Sequence, residues 1–251
     1  MNYIGIDIGS TAAKVTVFED DRLIENFTMP TGWSSVETSN TIKDRLINSG
    51  IDLDNSKVIA TGYGRISVPY ANKTITEITC HGKGAYYLLD KDCVIIDIGG
   101  QDTKIITLEK GKVINFTMND KCAAGTGRFL ELMANTLAVS IDELGKMALD
   151  GQDISITSMC TVFAESEVIS LIGKGTDRKD IARGIVNSIT GRVYSMLHKH
   201  GIGDVIYLTG GLCEVESFVK LLSEKLEREV VTSSMARYAG SIGAALLASE
   251  L

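Results

Sequence analysis

The sequence predicts an α/β fold that duplicates one half-domain, each half being a mixed sheet with flanking helices. A strand–turn–strand–turn–strand pattern occurs twice, at residues 4–29 and 94–118. Predicted helices return between the apolar strands, which is typical of α/β proteins. The two patterns align with ninety positions between Asp7 and Asp97, Gly9 and Gly99, and Lys14 and Lys104. Such an internal repeat indicates two similar units and not one continuous sheet.

The repeat also suggests where the half-domains divide. We expect residues 1–92 together with 236–251 to form the first half-domain, and residues 93–235 to form the second. The chain has 251 residues, of which 44% are hydrophobic and 23% are charged. That length and composition suffice for a sizeable core, in one domain or in two half-sized ones.

Charge and cysteine usage limit the possible partners and location. The formal net charge is -7, which would repel nucleic acid and anionic membranes, so we expect neither as a partner. The sequence has no apolar run long enough to cross a bilayer and opens with a strand in place of a signal segment. These features predict a cytoplasmic protein, in which the five cysteines are free, ligating or catalytic more often than disulfide-bonded.

In the first half, the meander is followed by a helix, a strand and a second helix. The first helix is predicted to open at Ser35 and to stop at Gly50. Residues 58–61 form a short apolar run before a glycine turn, which predicts a strand. Residues 74–80 are expected to be extended, and a short helix is expected at 82–89.

In the second half, residues 94–97 are an apolar strand that ends in an acid, and 104–108 and 113–118 complete the meander around a Lys-Gly-Lys turn. The remaining pattern alternates between helices and strands, as an α/β fold requires. It predicts helices beginning near Cys122 and near Cys160, an amphipathic helix at 178–198, a strand at 205–209, a helix at 217–226, a strand at 230–231 and a closing helix at 236–249.

Each meander carries an acid and a glycine turn of the kind that holds phosphates. Asp7 and Asp97 end apolar strands and could hold Mg²⁺ directly or through its waters, because this cation keeps several waters and needs few carboxylates. Gly9, Gly99 and Gly100 permit tight turns whose backbone N–H groups can face an anion. Two such hairpins facing each other across a cleft would contact one polyphosphate from both sides.

Polar residues beside these turns are candidates for the outer phosphates and for hydrolysis. The candidates for phosphate contact are Ser10, Thr11, Lys14 and Lys104. Both lysines have an alternative interpretation as solvated strand residues. Gln101 could orient the attacking water, as a glutamine does in other nucleotide hydrolases, and Asp102 is the alternative base.

A third glycine turn, Gly210-Gly211, comes after the apolar strand at 205–209 and precedes a helix. Nucleotide sites use such turns because they admit a close backbone. An ordinary strand-to-helix turn has the same pattern. Because two phosphate loops accompany it, we favour the nucleotide interpretation.

Four segments resemble the nucleotide-binding segments of the actin, sugar-kinase and heat-shock ATPase superfamily. They are DIGSTAAK, DIGGQDTK, LTGGLCE and GSIGAALL, which match the first phosphate, second phosphate, adenosine and connecting segments in that order. The resemblance implies ribonuclease-H-like (actin-like ATPase) half-domains. It also implies that ATP or ADP binds with Mg²⁺ in the cleft between them.

A narrower resemblance lies in NDKCAAGTGRFLE and CTVFAESEVISL. These segments resemble the activator ATPases (component A) of 2-hydroxyacyl-CoA dehydratases and the related ATPase subunits of benzoyl-CoA reductases. Members of that family are homodimers that hold one [4Fe–4S] cluster between subunits and couple ATP hydrolysis to delivery of a low-potential electron. The resemblance implies a cluster-containing dehydratase or reductase as electron acceptor, and ferredoxin or flavodoxin as electron donor.

The cysteines support the implied cluster by their own settings. A [4Fe–4S] cluster takes four thiolates, and because this chain has no C-x-x-C run, two chains giving two each would suffice. Cys122 and Cys160 each precede a predicted helix, where the helix dipole and unpaired N–H groups stabilise anionic sulfur. Cys80, Cys93 and Cys213 lack such settings, and we expect them to pack in the core or in loops.

Two other functions of the same fold remain open at the level of sequence. A small-molecule kinase would use the cleft to phosphorylate a sugar or acid, but 251 residues leave little room for substrate-binding insertions. A cluster-free, actin-like nucleotide switch would bind ATP only as a conformational ligand. It would not need Cys122 and Cys160 as thiolates.

Overall fold

The structure is a computed structural model that describes residues 1–120, 125–157 and 160–251. By its contacts the chain forms two compact units. The first comprises Met1–Asp92, Ile106–Asn115 and Met235–Leu251, and the second comprises Cys93–Ile105 and Phe116–Ser234. The predicted half-domains are defined by the repeat and not by contacts, and their boundaries stay a prediction.

Within the described residues the chain forms ten β-strands and eight α-helices. The strands are β1 (Asn2–Ile8), β2 (Ala12–Glu19), β3 (Arg22–Pro30), β4 (Ser56–Thr61), β5 (Lys73–Thr74), β6 (Val94–Ile98), β7 (Thr103–Glu109), β8 (Lys112–Asn119), β9 (Ile206–Gly210) and β10 (Val230–Val231). The helices are α1 (Ser35–Asn48), α2 (Glu77–Leu89), α3 (Gly127–Thr136), α4 (Ile141–Leu149), α5 (Thr161–Gly173), α6 (Arg178–His200), α7 (Glu216–Leu226) and α8 (Ala239–Ala248).

The first sheet places β1 at its centre, in the strand order β3-β2-β1-β4-β5. β1 pairs antiparallel with β2, which sets Asp7 opposite Lys14, and parallel with β4, which sets Asp7 opposite Thr61. The three isoleucines of β1 and the Val58-Ile59 pair of β4 are apolar and β-branched, which suits strands that are covered on both faces.

Both faces of the first sheet are covered by helices. Three isoleucines of β1 share one apolar cluster with Ile42 and Leu46 of α1, and burial of one such side chain contributes about 1.5–3 kcal/mol. On the opposite face Gly5 has no side chain, and the backbone of α8 approaches so closely that a Cβ there would overlap the Ser241 carbonyl oxygen. This double burial fixes the C-terminal end of β1, where Asp7 lies.

The second sheet repeats the order of the first, as β8-β7-β6-β9-β10. β6 pairs parallel with β9, as β1 pairs with β4. The prediction of duplicated mixed sheets is therefore confirmed. The two copies differ in the connection that leaves the meander, because α1 alone joins β3 to β4 whereas α3, α4, α5 and α6 lie between β8 and β9.

One predicted segment of the first unit is wrong. Residues 74–80 were expected to be extended, but β5 ends at Thr74 and α2 begins at Glu77. The side chain of Thr76 caps this helix by accepting a hydrogen bond from the Thr79 amide. The cap starts the helix five residues before the predicted position at 82.

The helices of the second unit also differ from the pattern in two places. α4 was not predicted, although Ser140 and Glu143 form a capping box at its start. The helix predicted to begin near Cys122 involves a residue outside the described ranges, and α3 itself begins at Gly127. Across the described ranges, no helix combines the length and the apolar character that a membrane span requires.

Candidate functional site

The first candidate acid, Asp7, is buried at the end of β1 and is 1% exposed. Its Oδ2 lies 3.7 Å from the Lys14 Nζ. Its Oδ1 accepts no hydrogen bond from any residue that the structure describes. Because a buried carboxylate oxygen without a partner is costly, this atom is suited to a cation or to a water bound to one.

The first glycine turn is held by backbone and side-chain hydrogen bonds. The Gly9 amide donates to the Ala12 carbonyl at 3.2 Å, which closes the turn. Thr31 fixes it further, because its Oγ1 donates to the Gly9 carbonyl at 2.7 Å and its amide donates to the Thr11 carbonyl at 3.0 Å. Ser10 and Thr11 retain solvent exposure on this turn, so their polar groups are available to a ligand.

Gly62, directly after β4, approaches Asp7 too closely for a side chain. Its φ is +82°, and a Cβ built there would lie 2.5 Å from Asp7 Oδ1 and from the Ile8 carbonyl oxygen. A larger residue would therefore be strained in its backbone and would displace the carboxylate.

The second candidate acid, Asp97, is the penultimate residue of β6 and is held from both sides. It is 2% exposed. Thr209 of β9 donates its Oγ1–H to Asp97 Oδ1 at 3.0 Å, and Lys104 of β7 donates from Nζ to Oδ2 at 3.4 Å. Both oxygens of Asp97 thus have partners within the second unit, unlike those of Asp7.

Lys104 is buried between two carboxylates. It is 1% exposed, and its Nζ also donates to Asp102 Oδ1 at 2.6 Å. The alternative interpretation as a solvated strand residue is therefore wrong for Lys104. Lys14 is different, because 18% of its side chain is exposed.

The second glycine turn repeats the closing hydrogen bond of the first. The Gly99 amide donates to the Asp102 carbonyl at 2.9 Å, as Gly9 does to Ala12 in the first turn. Gln101 lies at the tip of this turn and is exposed. Its amide is accessible to solvent, as a residue that orients a water must be.

The third glycine turn adjoins the second acid. Gly210 lies opposite Ile98 in the parallel pairing of β6 and β9. Its φ is +84°, and a Cβ there would overlap the Ile98 carbonyl oxygen and lie 3.0 Å from Asp97 Oδ1. Gly211 opens a short 3₁₀ turn, Gly211–Glu214, before α7. Only glycine fits at position 210, which agrees with a site that needs a close backbone.

The second glycine turn is also hydrogen-bonded to the start of α3. The amide of Gly127 donates to the Gly99 carbonyl at 2.9 Å, and the amide of Arg128 donates to the Gly100 carbonyl at 3.1 Å. Thr103, the first residue of β7, donates its Oγ1–H to the Gly125 carbonyl at 2.6 Å. Any displacement of the turn therefore acts directly on this helix.

The structure describes only one of the two candidate cluster ligands, Cys160. Cys160 is the N-cap residue of α5 and is partly exposed, so the predicted helix start is confirmed. Its backbone carbonyl accepts from the Ala164 amide, while its side chain makes no capping hydrogen bond. Cys122 lies outside the described residues.

The other three cysteines are buried, as expected. Cys80 is 0% exposed, Cys93 5% and Cys213 4%. Burial raises the pKa of the Cys80 thiol to about 12. A thiol of this kind stays protonated and is a poor metal ligand at neutral pH.

The predicted nucleotide residues divide between the two units. The first unit holds Asp7, Gly9, Ser10, Thr11 and Lys14; the second holds Asp97, Gly99, Gly100, Gln101, Asp102, Lys104, Gly210 and Gly211. Sequence reasoning missed Thr31, Gly62 and Thr209. The available signal was position alone, since Thr209 directly precedes the third glycine turn and Gly62 comes after an apolar strand.

Comparison with known proteins gives a consistent set of similarities. The sequence pattern of the BadF/BadG/BcrA/BcrD ATPase family matches residues 4–248. The chain is 42% identical over 249 residues to the (R)-2-hydroxyglutaryl-CoA dehydratase activating ATPase of Acidaminococcus fermentans, which covers 98% of this chain and 96% of that one.

Two solved structures are similar over the whole chain. One is the crystal structure of the Acidaminococcus fermentans (R)-2-hydroxyglutaryl-CoA dehydratase component A, with a TM-score of 0.92, 40% identity and coverage of 100% of this chain and 98% of that one. The other is the activator of the 2-hydroxyisocaproyl-CoA dehydratase from Clostridium difficile with bound ADPNP, with a TM-score of 0.92, 37% identity and coverage of 100% and 95%. The actin-like ATPase fold that the four nucleotide-binding segments implied is thereby confirmed.

Proposed function

Because the chain belongs to the BadF/BadG/BcrA/BcrD ATPase family and is an ATPase, we propose that it uses ATP to drive a low-potential electron into a partner dehydratase or reductase. Relatives are named as activators of acyl-CoA dehydratases. In this proposal a homodimer holds one [4Fe–4S] cluster between its subunits, ferredoxin or flavodoxin supplies the electron, and a cluster-containing enzyme accepts it. We propose the cytoplasm as its location, because the four cysteines that the structure describes are free thiols, as is usual in a reducing compartment.

The observation that carries this proposal is the hydrogen bonding between the second glycine turn and α3. The carbonyls of Gly99 and Gly100 accept from the first two amides of that helix. In sequence, α3 begins five residues after Cys122, a proposed cluster ligand. A ligand can shift a conformational equilibrium only through its different affinity for the two states. The γ-phosphate on the turn is such a difference, and the hydrogen bonds give it a short route towards the cluster segment.

The nucleotide residues divide into metal-binding, water-positioning and phosphate-binding groups in this proposal. Asp7 and Asp97 hold Mg²⁺ directly or through its waters, and Gln101 orients the attacking water, with Asp102 as the alternative base. Phosphate contacts come from Gly9, Ser10, Thr11, Lys14, Gly99 and Gly100, and nucleoside contacts come from Gly210 and Gly211. The chemistry needs positioning and electrostatic stabilisation more than covalent participation by the protein.

The residues present fit a magnesium ion. Asp7 Oδ1 is buried and lacks a hydrogen-bond donor among the described residues. Mg²⁺ prefers oxygen ligands and accepts one or two carboxylates together with phosphates and waters. A Mg–nucleotide would therefore satisfy an atom that the described residues leave without a donor.

Cys160, the proposed cluster ligand that the structure describes, also fits a shared cluster. Cys160 is partly exposed at the start of α5, where the amides of the first turn lack intrahelical partners. The nearby residues Val162 and Phe163 have 65% and 67% of their surface exposed, which suits contact with a second copy of the chain. A bound cluster would supply a one-electron carrier at this position.

The test is anaerobic purification followed by iron analysis. We expect a brown protein with about four iron per dimer, since one cluster of four irons is shared by two chains. A colourless protein that still hydrolyses ATP would contradict the proposal and favour a kinase or a nucleotide switch of the same fold.

Cysteine variants make the same test specific. Cys122→Ser and Cys160→Ser should lose the iron and weaken the dimer, because an iron normally held by thiolates is poorly ligated by a serine hydroxyl. Cys213→Ser is the matched control, because this buried thiol is not a proposed ligand. Full iron content in the Cys160→Ser protein would exclude that residue as a ligand.

A further inference from the structure

The second repeat contains an ion pair, Lys104 with Asp102, that the first repeat lacks. Asp102 stands ninety positions after Ala12, so only the second repeat has an acid at this place. The equivalent lysines differ accordingly. The side chain of Lys14 is 18% exposed and meets one carboxylate at 3.7 Å, whereas that of Lys104 is 2% exposed and meets two, at 3.4 and 2.6 Å.

The sequence makes Lys104 a candidate for phosphate contact; we propose instead that it is a positioning residue that holds the Asp97 and Asp102 carboxylates and makes no contact with the phosphates. This inference deepens the nucleotide part of the proposed function and rests on it. An ammonium group has three donors and no acceptor. Two of these donors are directed at Asp97 Oδ2 and Asp102 Oδ1, and the side chain is 2% exposed, so a phosphate oxygen has little access to this nitrogen.

The charges of the group explain why the lysine is needed. Asp97 and Asp102 are 2% and 3% exposed, and like charges that share a buried site destabilise each other. The ammonium between them offsets that repulsion and the cost of removing each carboxylate from water. Removing the lysine alone leaves two buried acids without their shared partner.

The strand order shows how completely Asp97 is fixed. β6 lies between β9 and β7 in the second sheet. Thr209 from β9 holds Asp97 Oδ1, and Lys104 from β7 holds Oδ2. Asp97, on the central strand, is thus oriented by both neighbouring strands. Asp7 is not held in this way, because its Oδ1 has no hydrogen-bond partner among the described residues.

The test compares Lys104→Met with Lys14→Met, because the repeat supplies a lysine at the equivalent position. Methionine keeps an unbranched side chain and removes the charge. For each variant and for the wild type, the dissociation constant of a non-hydrolysable ATP analogue with Mg²⁺ and the kcat of ATP hydrolysis at saturating ATP are measured. A positioning role lowers kcat with little change in affinity, whereas loss of a phosphate contact weakens binding.

We expect Lys104→Met to lower kcat by about 30-fold or more with a change in dissociation constant below about threefold, and Lys14→Met to raise the dissociation constant about tenfold or more. Lys104→Arg, which keeps the charge, should recover part of the lost kcat. Weakened binding in Lys104→Met as large as that in Lys14→Met, with kcat retained, overturns the inference. A wild type that neither binds nor hydrolyses ATP would contradict the proposed function itself. A wild type that does both, with Lys104→Met altered only in binding, would contradict the role of Lys104 alone.

Urea unfolding keeps the inference testable if Lys104→Met folds poorly. The double variant Asp102→Ala/Lys104→Met removes one of the two acids that share the lysine and places alanine where the first repeat has Ala12. We expect it to unfold at higher urea than Lys104→Met. A double variant that is no more stable than the single one would show that Lys104 does not offset the charge of Asp102, and the inference would be wrong.

Discussion

At the scale of single residues, the two repeated acids have unequal surroundings. Asp97 is hydrogen-bonded at both oxygens, whereas Asp7 Oδ1 accepts nothing from the described residues. The same residue type in the same repeat position therefore does not imply the same role. Asp7 offers the more direct contact to a cation, and Asp97 offers a fixed orientation.

We predict that Asp7→Asn and Asp97→Asn each lower the kcat of ATP hydrolysis by about 10²–10³-fold, because each removes a charge that would stabilise the Mg–nucleotide. Steady-state ATPase assays at saturating Mg²⁺ check this. Asp54→Asn is the control, since Asp54 is exposed in a loop and should leave kcat unchanged. Near-normal turnover in Asp7→Asn would remove that carboxylate from the site.

The thiols provide a prediction with a pH dependence. Because the thiolate is the nucleophile and burial raises the pKa of Cys80 to about 12, alkylation of Cys80 in the native protein should be negligible at pH 8 and should increase only as the pH approaches 12. Cys160 is partly exposed, so in cluster-free protein it should be labelled before Cys80. Iodoacetamide labelling followed by peptide mass spectrometry checks both.

Unfolding in urea supplies the control for this experiment. Cys80 and Cys160 should both react at pH 8 once the chain is denatured, because burial then no longer raises the pKa of the Cys80 thiol. If Cys80 in the native protein reacted as fast as Cys160, the packing of α2 against α8 and β4 would be looser than the structure describes.

At the scale of elements, α2 and α8 pack through glycines at backbone contact. A Cβ on Gly243 would overlap the Cys80 carbonyl oxygen, and a Cβ on Gly84 would overlap the Ala239 carbonyl oxygen. Gly243→Ala should therefore lower the free energy of unfolding by about 1–3 kcal/mol or more through overpacking. Urea denaturation at 25 °C measures the change.

Gly191→Ala is the matched substitution for that prediction. Gly191 lies inside α6, and beyond its chain neighbours and the helix's own backbone a Cβ there would meet no atom of the described residues within 4 Å. Alanine should raise stability by about 0.5–1 kcal/mol at this position, because glycine is disfavoured within helices. Equal effects of the two substitutions would contradict the close contact of α2 with α8.

Sequence reasoning recovered the elements whose signals are local and missed those that depend on distant partners. The repeat at 4–29 and 94–118 predicted both meanders, because alternating apolar runs and glycine turns are encoded within a few residues. The start of α2 was missed because residues 74–80 have the sequence pattern of an extended segment, whereas the Thr76 side chain caps a helix that begins within them. The role of Thr209 was missed because it acts on an acid 112 residues away.

At the scale of the whole molecule, the hydrogen bonds from the second glycine turn to α3 predict coupling between nucleotide and electron transfer. ATP, and not ADP, should shift the midpoint potential of the proposed cluster and the affinity for the partner enzyme. A discrimination of a few kcal/mol between the nucleotides corresponds to roughly 100 mV for a one-electron couple. Anaerobic redox titrations with ADP and with a non-hydrolysable ATP analogue measure the shift.

Thr103→Val tests the route of that coupling, because it removes the hydrogen bond from Thr103 to the Gly125 carbonyl while keeping the side-chain volume. The nucleotide-dependent shift in potential should shrink in this variant, with ATP affinity retained. Unchanged potential and partner affinity between ADP and the ATP analogue in the wild type would mean that hydrolysis does not gate electron transfer.

The position of α8 has a consequence for biosynthesis. This helix, Ala239–Ala248, covers Ile59 and Phe18 of the first unit, yet the ribosome makes it only after residues 93–234, which include all five strands of the second sheet. At about 5–20 residues per second, the nascent first sheet waits roughly 7–30 s for its cover. During translation the later copy of the repeat can therefore finish folding before the earlier one, and the uncovered apolar face of the first sheet is the part of the nascent chain that chaperones would bind.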